Sequence, residues 1–282
     1  MSTNSTLTLY TTTTTTVSNL TKTDPNPFPT KVKLAQQLTG GAIVHVTTVD
    51  QAKIAESAGA SCITVSAPSR MPDPSLIKQI QASVPIPVMA KARVGHFVEA
   101  QILEAVGVDY IDENELLEAA DVSNHINKHN FRVPFVCGCS NLGDGLMRVR
   151  EGAAMIRTQG NMFVNTVTNV RNVMGKIRVL SNMDEDEVFN FAKEICAPYD
   201  VVAQVKQLGR LPVVHFASGG IVTVADAAMM MQLGCDGVFV DSDVFECPDA
   251  YERVRAIVQA VRNYNDVDML TGLNLRGAEG SY

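Results

Sequence analysis

From Lys31 onward, short runs of apolar residues alternate with longer stretches of helical period, and this alternation restricts the possible folds more than any other feature. Each run is too short for a helix, and most lack the polar–apolar alternation of a strand with one solvent-exposed face. Such runs are typical of parallel strands buried on both faces. Eight runs are present, at residues 42–46, 62–65, 87–90, 108–111, 133–136, 155–156, 213–217 and 237–240.

The stretches between these runs predict helices. Asp73 followed by Pro74 is the pattern of a helix N-cap and a proline at the first helical position. A longer insertion, residues 184–208, carries two further helical patterns between the sixth and seventh predicted strands. The other predicted helices span residues 49–58, 74–82, 97–105, 116–126, 142–151, 164–180, 224–232 and 248–263.

Eight strands that alternate with helices predict an α/β chain, a closed (β/α)8 TIM barrel with extra helices between strands 6 and 7. The length of 282 residues suits one such domain with short extensions. An open, doubly wound sheet is the alternative, but no GxGxxG motif opens the first helix.

The chain is expected to divide into three parts. Residues 1–30 are rich in Ser and Thr, with an unbroken Thr run from Thr11 to Thr16, and cannot bury enough apolar surface to fold, so we expect a disordered tail. Residues 31–266 form the barrel, and residues 267–282 form a short C-terminal tail. The N-terminus lacks the apolar core of a secretory signal, which favours a cytoplasmic protein.

Composition excludes several functional classes. The formal net charge is −7 and no basic block is present, so we do not expect nucleic-acid binding. No run approaches the ~20 apolar residues that span a bilayer, so we expect no membrane association. The six cysteines are scattered, and only Cys137 and Cys139 are close in sequence, without further ligands at zinc-site spacing. We therefore expect no metal and no resident cofactor.

Active sites of such barrels lie at the carboxyl ends of the strands, and Lys91 ends the third predicted strand. A lysine in this low-dielectric position loses part of its preference for the ammonium form, so its amine can attack a carbonyl group. The alternative is a structural ion pair with a nearby carboxylate such as Asp112. Position alone does not separate the two.

The turns after the last two strands are candidates for phosphate binding. Gly219 and Gly220 follow strand seven, and bare amide groups there favour an anion, although a Gly-Gly pair often marks only a tight turn. Asp241 follows strand eight, and its carboxylate would repel a phosphate at this position. The neutral alternative is that Asp241 points outward or caps the following helix.

Six further segments of the chain are long and specific. They are GHFVEAQILE at 95–104, DYIDE at 109–113, INKHNFR at 126–132, EGAAMIR at 151–157, NMDED at 182–186 and LGRLPVV at 208–214. Together they resemble the synthase (lyase) subunit family of the glutamine-dependent pyridoxal 5′-phosphate synthase. The resemblance covers residues 31–266, and it suggests a plant member of the non-catalytic, pseudoenzyme type.

The resemblance implies (β/α)8 barrels assembled as two stacked hexameric rings. Members make pyridoxal 5′-phosphate from a pentose phosphate, a triose phosphate and ammonia from a separate glutaminase subunit. They hold the pentose phosphate as a Schiff base, first on a lysine after strand three and later on a second lysine after strand six. An aspartate after strand one assists, and glycine-rich turns after strands six, seven and eight bind phosphate.

This chain departs from that pattern at the reacting groups. Lys91 and Asp112 match the family's strand-three lysine and strand-four aspartate. His45 replaces the strand-one aspartate, and neutral imidazole supplies no fixed negative charge. Gln159 replaces the second lysine, and an amide has no nucleophilic amine, so the family's transfer step is impossible there.

The phosphate-binding turns are also altered. Gly160 is the one glycine kept in the shortened turn after strand six, and Gly220 is kept after strand seven. Asp241 replaces a family glycine after strand eight, whereas the adjacent Ser242 is kept. Arg171 matches a family arginine that contacts the triose phosphate site. These positions are therefore expected to be a partly vestigial substrate site.

The losses fall at the reacting end of the barrel, while the assembly motifs are intact. We therefore predict a non-catalytic synthase-like subunit that joins hexameric or dodecameric rings with catalytic paralogues and supports vitamin B6 production, with the glutaminase subunit as a further possible partner. One alternative is an active synthase that uses ribose 5-phosphate, glyceraldehyde 3-phosphate and glutamine-derived ammonia. Another is a barrel with a changed, unphosphorylated carbonyl substrate at Lys91.

Overall fold

The computed structural model describes residues 26–278 and contains eight parallel strands that close into a barrel in chain order. Closure is direct, because the first strand pairs with the last, Ile43 lying opposite Phe239. The predicted TIM barrel is thereby confirmed, and the open sheet is excluded. The strands are β1 (Gly41–Val46), β2 (Cys62–Val65), β3 (Val88–Arg93), β4 (Tyr110–Asn114), β5 (Phe135–Cys139), β6 (Ala153–Gln159), β7 (Val214–Ser218) and β8 (Gly237–Val240).

The helices follow the predicted alternation, and the two extra helices between β6 and β7 are present as α7 and α8. Asp73 caps α3, as predicted, by accepting the Ser75 amide at 2.7 Å. The helices are α1 (Phe28–Gln36), α2 (Val49–Ser57), α3 (Pro74–Ser83), α4 (Phe97–Val106), α5 (Leu142–Arg150), α6 (Phe163–Leu180), α7 (Glu185–Glu194), α8 (Tyr199–Leu208), α9 (Val224–Leu233), α10 (Ala250–Arg262) and α11 (Val267–Ala278).

The helix predicted at residues 116–126 is wrong, because this segment is a loop of turns and bends between β4 and β5. The Asp121 side chain accepts the amides of Ser123 and Asn124, which gives the backbone a turn in place of a helical ladder. The far end of the loop is held by Glu113, which accepts the Ile126 amide at 2.9 Å.

Both ends of the barrel domain carry helices near the predicted boundaries. Helix α1 begins at Phe28, inside the segment predicted as a tail, and α11 covers most of the predicted C-terminal tail. Residues 1–25 and 279–282, the rest of those two tails, lie outside the described residues.

Helix α1 covers the amino ends of the strands. Its Lys31 is buried, and the Nζ atom donates to the carbonyls of Lys128 and Phe131 at 2.9 and 2.8 Å. The Leu34 carbonyl accepts the hydroxyl of Tyr110, the first residue of β4, at 2.9 Å. This end of the barrel is therefore filled, and the carboxyl ends of the strands form the opposite face, which we call the mouth.

Alternate residues of each strand belong to different parts of the core, which explains why the apolar runs lack polar positions. In β1, Ile43 points into the barrel, whereas Ala42 and Val44 pack toward the outer helices. The interior cluster includes Ile43, Met89, Tyr110, Met155 and Phe239.

Candidate active site at the mouth of the barrel

The polar layer of the mouth follows directly from the two-residue period of the strands. Five interior residues of the core are each followed, two positions later, by a charged residue or histidine that points into the same lumen, one layer closer to the mouth. Lys91 and Asp112 are also register partners on adjacent strands. The layer comprises His45, Lys91, Asp112, Arg157 and Asp241, after Ile43, Met89, Tyr110, Met155 and Phe239 respectively.

Lys91 is only 5% exposed, and its Nζ atom lies 3.4 Å from Nδ1 of His45. Burial lowers the pKa of Lys91 to about 8, and the Arg157 charge acts in the same direction against the opposing effect of Asp112 and Asp241. The unprotonated fraction of the amine near neutral pH is therefore larger than that of an ordinary lysine, although the ammonium form still predominates, and it is the unprotonated form that attacks a carbonyl.

His45 is a neutral imidazole in this environment. Burial, and then the charges of Lys91 and Arg157, lower the pKa of His45 well below its ordinary value. The contact of 3.6 Å between Nδ1 and Asp241 Oδ1 is accordingly a polar contact between a neutral ring and a carboxylate. His45 thus supplies no charge to Lys91, as its substitution for aspartate predicts.

Asp241 neither points outward nor caps the following helix, so the neutral alternative considered from the sequence is wrong. Its side chain does not cap the short 3₁₀ helix Ser242–Phe245 that follows. It points inward instead, and Oδ2 accepts the Gly220 amide at 3.1 Å. Burial raises the pKa of Asp241, against the opposing influence of the Gly220 amide and Lys91. The carboxylate therefore lies between Gly220 and His45 at the mouth.

Arg157 organises the other side of the mouth. Its Nη2 atom lies 3.1 Å from Asp112 Oδ1, and neither side chain is exposed. The same guanidinium donates to Glu115 Oε2 at 3.3 Å and to Gln159 Oε1, and it lies over the Phe239 ring. The retained Asp112 is therefore paired with Arg157 as well as being the neighbour of Lys91.

Gln159 borders a cavity of about 570 Å³ between the loop after β4, the strands β5 and β6, and the helices α5 and α6. Its Nε2 atom donates to Glu115 Oε2 at 3.3 Å, so the amide joins Arg157 to Glu115. Among the described residues that line this cavity, the only arginine or histidine side chains are Arg148 and His125, and none is a lysine. No second amine therefore borders the cavity beside position 159 within the described part of the chain.

The remaining predicted site residues are only partly brought together. Gly160 packs tightly on the first turn of α6, where a Cβ atom would lie 2.6 Å from Asn165 Cβ. Ser242 is half-buried at the start of the 3₁₀ helix beside Asp241. Arg171 is exposed midway along α6, and the structure gives it no contact with the lysine or the cavity.

Sequence reasoning missed Glu115, which accepts the Gly138 amide at 3.0 Å as well as Arg157 and Gln159. It also missed the role of Glu113, whose carboxylate binds Lys128 at 2.7 Å. Both residues lie in the polar continuation of β4, directly after Asp112. The sequence signal that could have identified them is the group of acidic residues that directly follows the apolar run at 108–111.

Within residues 26–278, no three His, Cys, Asp or Glu side chains are grouped as metal ligands require. In the same range no helix is both long enough and apolar enough to cross a bilayer.

A model of the SOR/SNZ family matches residues 27–218. The chain belongs to the SOR/SNZ family. Curated relatives agree with the resemblance found in the sequence. Pyridoxal 5′-phosphate synthase-like subunit PDX1.2 of Arabidopsis thaliana is 61% identical over 261 residues, which cover 88% of this chain and 83% of the relative. Pyridoxal 5′-phosphate synthase subunit PDX1 of Phaseolus vulgaris is 60% identical over 266 residues, 89% of this chain and 85% of the relative.

The relatives of this SOR/SNZ chain therefore include both a synthase-like subunit and synthase subunits, and the predicted family is confirmed. Solved structures of other proteins share only the fold. The Amycolatopsis orientalis BexX/CysO complex matches with a TM-score of 0.52 and 12% identity, covering 83% of this chain and 91% of that chain. Thiamine phosphate pyrophosphorylase from Pyrococcus furiosus matches with a TM-score of 0.50 and 13% identity, covering 80% and 98%.

Proposed function

We propose that this chain is a non-catalytic, synthase-like subunit of vitamin B6 biosynthesis that assembles with catalytic synthase subunits in the cytoplasm. One observation carries the loss of catalysis. The cavity beside Gln159 offers no lysine among its described lining residues, so an intermediate bound to Lys91 has no second amine to accept it. Neutral His45 adds to this loss, because it leaves the strand-one position without a negative charge.

Retained assembly is supported by apolar surface outside the mouth. Phe189 of α7 is 49% exposed and Tyr199 of α8 is 43% exposed, and their rings lie 6.0 Å apart. Helix α4 adds exposed Phe97, Val98 and Ile102. Exposed apolar clusters of this kind mark protein–protein contacts, and the two relatives compared above are named as subunits. We propose hexameric or dodecameric rings shared with catalytic paralogues, to which a glutaminase subunit can dock.

A second function is favoured by one observation. Lys91 keeps a lowered pKa and Asp112 lies beside it in the register, as a Schiff-base lysine requires. On this second proposal the chain is an active synthase that makes pyridoxal 5′-phosphate from ribose 5-phosphate, glyceraldehyde 3-phosphate and ammonia. It would then need an amine from elsewhere to replace the lost lysine at position 159.

An activity assay separates the two proposals. Purified protein given ribose 5-phosphate, glyceraldehyde 3-phosphate and ammonium ions is expected to form no pyridoxal 5′-phosphate above a Lys91→Ala control, because the second amine is missing. Ammonium supplied directly removes the need for a glutaminase. An active synthase subunit in the same buffer is the positive control. Product above the Lys91→Ala background, measured by its absorbance and mass, would refute the non-catalytic proposal.

Co-assembly is tested by native mass spectrometry after co-expression with an active synthase subunit. We expect rings whose masses correspond to mixed numbers of the two chains, because a chain about 60% identical to a synthase subunit is expected to keep the surfaces through which subunits pack. Vitamer formation is measured on the same sample. Co-expression with an unrelated (β/α)8 barrel is the control. Separate homomeric assemblies, with no mixed species, would contradict the proposal.

A further inference from the structure

The turn after β7 is built to receive an anion. Gly219 and Gly220 have φ values of +102° and +71°, a left-handed conformation in which consecutive amides can turn toward one side. The turn packs on the amino end of α6, since a Cβ atom at Gly220 would lie 2.5 Å from the Phe163 amide nitrogen. Helix α6 is 18 residues long, and it has no side-chain cap and no acidic residue in its first turn. Its positive end is therefore not neutralised by its own sequence.

The turn at Gly219 and Gly220 already binds an anionic group of the chain itself, the carboxylate of Asp241. The Gly220 amide donates to the Asp241 carboxylate at 3.1 Å, although Asp241 lies on the loop after a different strand. The carboxylate does not cap the 3₁₀ helix that it precedes. Its inward direction is thus explained by the Gly220 amide and by the polar groups of the mouth, and not by local capping.

Asp241 is also connected to the retained amine. His45 Nδ1 lies 3.4 Å from Lys91 Nζ and 3.6 Å from Asp241 Oδ1, so one neutral ring joins the two charged groups. The Asp241 charge favours the protonated form of Lys91. A second anion that entered this space would meet a carboxylate of the same sign and would lose the Gly220 amide as a donor.

We propose that Asp241 is a built-in anion: its carboxylate occupies the place at the Gly220 amide that the phosphate group of a sugar phosphate would take, and so excludes phosphorylated sugars from Lys91. Asp241 is then a specificity-determining residue. This inference rests on the proposed function in one respect, that the mouth makes no product. It adds a second reason why the chain does not catalyse the reaction. This second obstacle acts when the substrate binds, and it is separate from the missing amine at position 159.

The test measures binding of inorganic phosphate and of ribose 5-phosphate to the full chain by calorimetry. Asp241→Gly removes the carboxylate and opens the space, and Asp241→Ser does so while keeping a small side chain, should the glycine variant fail to fold. We expect phosphate to bind either variant about 10- to 100-fold more tightly than the unmodified chain, the size of effect expected for a charge-assisted hydrogen bond. Asp243→Gly is the matched control, because it removes an exposed acid from the same loop and leaves the Gly220 amide occupied.

Trapping at Lys91 gives an independent readout. Its amine condenses with the aldehyde of ribose 5-phosphate to form an imine and water, and borohydride reduces the imine to a stable secondary amine that mass spectrometry locates. We expect this adduct in Asp241→Gly and not in the unmodified chain or in Asp241→Gly/Lys91→Ala. Equal, weak phosphate binding by folded Asp241→Gly, Asp241→Ser and unmodified protein would overturn the inference.

The two proposals fail separately. Absence of pyridoxal 5′-phosphate from the unmodified chain tests the non-catalytic function alone, whatever Asp241 does. Phosphate binding gained by Asp241→Gly, with still no product because Gln159 remains, supports both. Failure of the variants to gain binding, while the unmodified chain stays inactive, overturns only the role of Asp241.

Discussion

Replacing Arg157 by methionine is expected to lower the free energy of unfolding by about 3–5 kcal/mol, the range found when one partner of a buried ion pair is removed. Arg157 and Asp112 are both without exposed side-chain surface, and their charged atoms lie 3.1 Å apart. The substitution leaves the Asp112 carboxylate in the interior with the Asn114 amide, at 2.6 Å, as its remaining hydrogen-bond donor. Urea denaturation at one fixed protein concentration measures the loss, since assembly also contributes to stability.

The double variant Arg157→Met/Asp112→Asn is the control for this explanation. It removes both charges, so it is expected to recover a large part of the lost stability, because a buried pair is worth little more than its neutral replacement. A single variant as stable as the unmodified protein would show that Asp112 finds another partner, and Lys91 is then the candidate.

Replacing Lys128 by methionine is expected to cost a similar 3–5 kcal/mol. The Lys128 side chain is fully buried, and its Nζ atom lies 2.7 Å from Glu113 Oε2 and 2.9 Å from Glu151 Oε2. Lys206→Met is the matched control, because this lysine pairs at 3.4 Å with a Glu185 side chain that is 81% exposed. Surface pairs of that kind contribute at most about 1 kcal/mol. Equal effects of the two substitutions in urea denaturation would contradict the argument.

Acid denaturation gives a second measurement of the same network. Burial alone would raise the pKa of Glu113, but the contact with His125, the charge of Lys128 and the amides of Gly95 and Ile126 together lower it to about 2. A depressed carboxylate pKa stabilises the fold above the ordinary value near 4.5, and this contribution is lost as the pH falls toward 2. Lys128→Met raises the pKa of Glu113, so acid unfolding is expected to begin at a higher pH. An unchanged acid transition would exclude Lys128 as a cause of the shift.

The barrel could be predicted because strands buried on both faces produce uninterrupted apolar runs. The same rule places some strand ends too early, because it stops at the first polar residue. Strand β3 continues through Lys91 to Arg93, and β4 continues through Asp112 to Asn114. These polar residues remain in the sheet because charged side chains at the mouth are buried in pairs. A pattern of apolar residues cannot predict which charges will pair. The helix predicted at residues 116–126 was wrong for a related reason. The side chains of Glu113 and Asp121 hold the backbone of this segment by hydrogen bonds, which the apolar pattern does not show.

The sequence predicted which residues belong to the candidate site better than it predicted the directions and partners of their side chains. Strand ends identified Lys91, Asp112 and Gln159 by position, and the structure brings the first two together across one register pair. The direction of the Asp241 side chain was not predictable, because it depends on the Gly220 amide in the turn after another strand, β7. Glu115 was missed for the same reason, since its partners Gly138, Arg157 and Gln159 come from two other strands, β5 and β6.

The position of α1 has a practical consequence for work on this chain. Because Lys31 fixes this helix across the amino ends of the strands, the helix lies on the side of the barrel away from Lys91 and Asp241. A fluorophore joined to an exposed side chain of this helix, such as Lys33, would therefore leave ligand access unobstructed, and immobilisation through such a label would orient every copy with its lumen toward the solution.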